Sequence, residues 1–134
     1  MRRNMSKGSR QLRKTIEVQK INEQTFQFIV NENELNDQIQ GAGQVIADSD
    51  NFAFIYLLDA GEAYVHLRIE AEHWATLVTM LQAPELFVTD GTVTLPLPNF
   101  KEELTALLFN IEGNDNYGTA FVAQVEATFE QVLQ

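Results

Sequence analysis

The stretch Phe52-Ala-Phe-Ile-Tyr-Leu-Leu-Asp-Ala-Gly-Glu-Ala-Tyr-Val-His-Leu-Arg-Ile69 decides the fold. In an extended chain Phe52, Phe54, Tyr56 and Leu58 take one face, while Ala53, Ile55 and Leu57 take the other. A strand apolar on both faces is either central and covered on both sides, or it has a partner on its second face. Asp59–Glu62, with Gly61, has the composition of a hairpin loop. Tyr64–Ile69 returns with Val65, Leu67 and Ile69 inward and His66 and Arg68 outward, or the reverse if Tyr64 anchors the core.

Upstream, Ile16 and Val18 alternate with polar residues as a half-buried strand, Asn22 and Glu23 make a turn, and Phe26, Phe28 and Val30 face one way in a second strand. Residues 31–43 are polar, carry Gly41 and Gly43, and read as a loop. Val45–Ala47 begins a third strand that breaks at the turn formers Asp48-Ser49-Asp50-Asn51. Downstream the period changes. Trp74, Leu77, Val78 and Leu81 form a helical stripe that Pro84 ends. Leu86–Thr89 and Thr92–Leu95 flank Asp90-Gly91, a hairpin signal. Asn99 has the chemistry of an N-cap, with Glu102 completing a capping box. Leu104, Leu107, Leu108 and Ile111 make the next stripe, and Gly113 fits the C′ position. Phe121, Val122, Val125, Phe129, Val132 and Leu133 share one face of a last helix. Runs of strands followed by helices define an α+β class, here a twisted antiparallel sheet of about five to seven strands with about three helices packed mainly on one face. Residues 14–134 are expected to form one such domain.

The chain has 134 residues, 45 % of them hydrophobic, and no cysteine. That composition supports a core and excludes a disulfide framework, thiolate zinc sites and cysteine nucleophiles. The net charge is −10, unevenly distributed. Arg2, Arg3, Lys7, Arg10, Arg13, Lys14 and Lys20 fall in the first 20 residues with one acid, Glu17. Residues 21–134 hold two basic residues, Arg68 and Lys101, against 18 acids, a net charge of −16. So acidic a body repels phosphate backbones and anionic lipid, which argues against nucleic acid as a partner of the folded domain. Residues 1–13 read as a basic flexible tail; it could touch phosphate or lipid head groups, and a solvated chain end is the simpler reading. No apolar run follows the arginines as in a signal peptide, and none reaches the roughly 18 residues of a membrane span, so the expected compartment is the cytoplasm.

Ile46-Ala-Asp-Ser-Asp-Asn-Phe-Ala-Phe-Ile-Tyr-Leu-Leu58 and Asn110-Ile-Glu-Gly-Asn-Asp-Asn-Tyr-Gly-Thr-Ala-Phe-Val122, with Trp74 and Asn99–Leu104, resemble the YjbL-like family of short uncharacterised proteins from bacilli. The resemblance covers residues 14–134 and implies a small cytosolic protein of unknown function, with no catalytic residue to transfer.

Few constellations carry chemistry. Asp48 and Asp50, two apart with Asn51 beside them, could hold a hard cation through oxygen. Asp115, in the Asn114–Gly118 connection between helices, would complete a three-carboxylate metal site if it converged on them. The simpler reading is a turn at Asp48–Asn51 and paired helix caps at Asn114–Asn116, with Tyr117 as a lid on the core. His73, beside Trp74 and near Glu70 and Glu72, has the chemistry of a general base, yet neither it nor His66 has a visible nucleophile to serve. Gly41-Ala42-Gly43 lacks the third glycine, helix and lysine of a phosphate cradle. The expectation is a non-catalytic interaction module for another protein, without a cofactor, leaning away from an enzyme. The alternatives are a metal-assisted enzyme using Asp48, Asp50 and Asp115, or a nucleic-acid or membrane accessory tethered by the basic segment. A homo-oligomer formed through an exposed strand edge also stays open.

Overall fold

The described chain runs β1 (Lys14–Glu17), β2 (Lys20–Asn22), β3 (Gln27–Ile29), β4 (Gln40–Asp48), β5 (Ala53–Asp59), β6 (Tyr64–Glu70), α1 (Trp74–Met80), β7 (Phe87–Thr89), β8 (Thr94–Pro96), α2 (Phe100–Ile111), α3 (Thr119–Thr128) and α4 (Glu130–Leu133). This is a computed structural model, and it describes residues 14–134; the basic segment 1–13 lies outside the described residues. The class is α+β. The strands divide into two four-stranded sheets, ordered β1-β6-β5-β4 and β2-β3-β7-β8, where a single antiparallel sheet was expected. Strands joined by short turns pair antiparallel, as local geometry requires. Each sheet also holds one parallel pair, β1 with β6 and β3 with β7, and these strands lie far apart in the chain.

The stretch read as one strand from Lys14 is shared between the sheets. The amide of Val18 donates to the carbonyl of Arg68 in the first sheet, and the next amide, of Gln19, donates to Ile29 in the second. Nε2 of His73 lies 3.1 Å from the Val18 carbonyl, so that nitrogen carries the ring proton and pins the crossover. The strand read from Val45 starts earlier, at Gln40, and crosses a bulge between Gly41 and Val45. Gly41 is there because a Cβ would stand 2.6 Å from the Tyr56 hydroxyl and 2.7 Å from Cδ of Pro98.

One continuous core joins both sheets to the helices. α2 bridges them, its Phe100 ring lying 5.2 Å from Phe28 of β3 and stacking 5.5 Å from Tyr56 of β5. Phe54 packs 4.9 Å from Trp74 of α1 and meets Phe121 and Phe129 edge-on. The helical stripes bury Trp74, Leu77 and Met80 in α1 and Phe100, Leu104, Leu108 and Ile111 in α2. The capping box does not form. Asn99 adopts a left-handed φ of 62° and its side chain makes no cap bond, because a capping side chain reaches the first-turn amides from extended backbone. Gly113, with φ 68°, does follow the helix end as C′. The last helix is broken at Phe129 into α3 and α4.

Candidate functional site

Alternation along β5 sends Phe54, Tyr56 and Leu58 into the core and Ala53, Ile55 and Leu57 to the opposite, outer face of the first sheet. Ile55 and Leu57 are only 6 % and 8 % exposed, yet neither belongs to the continuous core. Cross-strand register sets their neighbours. Glu17, Arg68, Ile55 and Ile46 form one row across all four strands. His66 stands beside Leu57, Glu70 and Asp48 flank Ala53, and Tyr64 pairs with Asp59 at the hairpin end. Tyr64 is 53 % exposed. The outer face thus carries Ile46, Ile55, Leu57 and Tyr64 together with Glu17, Asp48, Asp59, Glu70, His66 and Arg68.

Arg68 is the cation of this face. Its Nη1 lies 3.2 Å from Oε2 of Glu70 and 3.3 Å from Oε1 of Glu17, and its Nε lies 3.9 Å from Oδ2 of Asp48. Its Nη2 donates to the Asn51 carbonyl at 3.4 Å. Burial works against the guanidinium charge, but the hydrogen-bonded carboxylates of Glu70 and Glu17 outweigh it and raise the Arg68 pKa. Three carboxylates around one guanidinium still leave the cluster negative.

The residues singled out for metal binding are placed as follows. Asp48 is taken up by Arg68 and by Nδ2 of Asn51, which donates to both its oxygens at 3.2 and 3.1 Å. Asp50 is exposed in the turn Ser49–Asn51, and Asp115 is exposed in the turn Asp115–Tyr117 after α2. There the Asn114 side chain accepts the Asn116 amide at 3.1 Å, and Nδ2 of Asn110 donates to the Tyr117 hydroxyl at 2.8 Å. Among the described residues no group of three or more histidines, aspartates or glutamates is placed to hold a metal ion. His73 serves the strand crossover, and His66 is half-buried on the outer face.

Two polar residues in the interior carry more structure than sequence reasoning assigned them. Asp90 is buried. Its Oδ1 accepts the amides of Thr92 and Val93 at 2.9 and 2.8 Å, and its Oδ2 accepts the amide of Leu35 at 3.1 Å. The Val93 amide above all holds this carboxyl below the usual range, against the opposing effect of burial. The Asp90-Gly91 signal was visible, but the connection is longer than two residues, with the Asp90 amide bonded to the Val93 carbonyl. The Tyr56 hydroxyl donates to the Pro98 carbonyl at 2.7 Å and accepts the Gly43 amide at 3.1 Å; burial pushes its pKa up to about 12. A groove of about 370 Å³ runs between Asp37–Gly41 and Leu95–Pro98, and Asp37 is the one ionisable side chain lining it.

The geometry defines an α+β protein with a sheet face that carries both apolar side chains and carboxylates. Among its described residues no helix is long and apolar enough to cross a membrane. The chain belongs to UPF0738, a family of unknown function, which matches residues 14–129. It is 48 % identical over 122 residues to the UPF0738 protein of Lysinibacillus sphaericus, covering 89 % of this chain and 94 % of that protein. It is 44 % identical over 97 residues to the UPF0738 protein of Staphylococcus aureus strain Newman, covering 70 % of this chain and 81 % of that protein. No solved structure matches the chain.

Proposed function

We propose that the chain is a non-catalytic interaction module of the cytoplasm that binds a basic protein partner on the outer face of its first sheet. The observation that carries this reading is the placement of Ile46, Ile55, Leu57 and Tyr64 outside the core on a face shared with Glu17, Asp48, Asp59 and Glu70, where Arg68 is ion-paired to Glu17, Asp48 and Glu70. Interfaces pair an apolar or aromatic centre with a polar rim, and tyrosine is among the residues that anchor them. The net charge of −16 over residues 21–134 favours a partner rich in lysine and arginine and speeds its encounter.

Affinity capture with the full chain tests this reading. The wild-type chain and Phe109→Ala, altered at an exposed aromatic of α2, should retain the same protein at low salt and release it at high salt, while Tyr64→Ala should not retain it. An identical set of proteins on Tyr64→Ala and the wild type overturns the assignment of the face.

A further inference from the structure

The outer face has a candidate occupant within the chain itself. Residues 1–13 contain Arg2, Arg3, Lys7, Arg10 and Arg13 and no acid. They join the fold at Lys14, the first residue of β1, an edge strand of the first sheet. Lys14 pairs in register with Val65, so the segment enters at the end of the sheet where Tyr64 and Asp59 sit. Thirteen residues reach at most roughly 45 Å, about twice the length of a seven-residue strand. The distance to Glu17, Asp48 and Glu70 at the other end of the face is therefore well within reach. The charges are complementary: five cations in the segment meet a face with four carboxylates and one guanidinium.

We propose that residues 1–13 bind the acidic outer face of the first sheet in the free protein and compete there with the basic partner. The proposal rests on the reading of that face given above. Tethering makes the segment's local concentration millimolar in order of magnitude, so weak ion pairing is enough to occupy the face. The partner then binds with an affinity lowered by the fraction of chains whose face is free. Replacing the cations of residues 1–13 therefore tightens the partner's binding. A second copy of the chain could present the same segment in trans, and the experiment separates the two cases.

The absence of native cysteine allows a single nitroxide label on Ser6→Cys in the full chain, read by paramagnetic broadening of backbone amide signals. The expected result is loss of the amide signals of Ile55, Leu57 and Tyr64 while those of Ala106 and Phe109 on α2 stay sharp. The lost signals should recover in about 1 M salt, where the screening length falls to about 3 Å. Broadening that is absent, or spread evenly over the protein, overturns the proposal. So does broadening that appears as strongly when the label sits on a separate, isotope-unlabelled copy, since the contact is then between chains. A negative result would remove the segment as the occupant. The Tyr64→Ala capture would still report separately on the face.

Discussion

The amide of Leu35 donates a 3.1 Å hydrogen bond to Oδ2 of Asp90, 55 positions further along the chain. That bond ties the polar stretch between β3 and β4 to the turn between β7 and β8, whose amides of Thr92 and Val93 occupy the other carboxylate oxygen. Asp90→Asn keeps one acceptor oxygen and loses the charge, so it should cost about 2 kcal/mol of unfolding free energy. The folded carboxyl titrates below its unfolded value of about 3.9, so its contribution is complete above that pH and disappears as pH falls through the folded value. Urea denaturation of both proteins at neutral and acid pH should show the gap between them closing below about pH 4.

The Tyr56 hydroxyl joins the bulge of β4 to the segment entering α2. Tyr56→Phe removes both bonds and should lower stability by about 1–2 kcal/mol. Because burial raises the folded pKa to about 12, the wild type loses stability as pH rises from about 10, the unfolded value, toward 12. The Phe variant should lack that component of the alkaline decline. Gly41→Ala, which drives a methyl group against the same hydroxyl and Pro98, should cost about 1–3 kcal/mol in the same denaturation series.

Replacing the cation of the outer face leaves Glu17, Asp48 and Glu70 without the charge they surround. These groups are partly exposed, so Arg68→Met should cost about 1 kcal/mol. Urea, being uncharged, permits the denaturation to be repeated at two ionic strengths, and the cost should be larger at the lower one.

Magnesium, manganese and calcium, titrated calorimetrically into the wild-type chain, should give no binding heat and no shift in Tm. Asp48 is already engaged by Arg68 and Asn51, and no group of three potential ligands is assembled among the described residues. A Tm rising with any of these ions would support a site at Asp48, Asp50 and Asp115.

Local periodicity made several elements legible. β5, apolar on both faces, is a central strand; the stripes at Trp74–Leu81 and Leu104–Ile111 are helices, and strands joined by tight turns pair antiparallel. What escaped is non-local. No residue between Ile16 and Leu67 announces that they pair in parallel, and the change of sheet between Val18 and Gln19 is made by hydrogen bonds to distant strands. Gln40–Gly43 has a loop composition because Gly41 accommodates Tyr56 and Pro98 and Gly43, with φ 74°, lies against Asn99, contacts visible only in three dimensions. The candidate face was half legible. The second apolar face of β5 was plain, and Arg68 is the one basic residue between positions 21 and 100, a hint that carboxylates would gather around it. The ion pair of Asp48 with Arg68, 20 residues further along the chain, is not announced by the local sequence around either residue.

A photo-crosslinking residue placed in the full chain at position 64, and in a second protein at position 109, compares two exposed aromatic sites directly. Tyr64 is 53 % exposed on the outer sheet face and Phe109 is 49 % exposed on α2, so accessibility alone does not favour either. A partner seated on the outer sheet face gives a discrete protein adduct from position 64 that vanishes at high salt, and none from position 109. An adduct from position 109 with none from position 64 would contradict it.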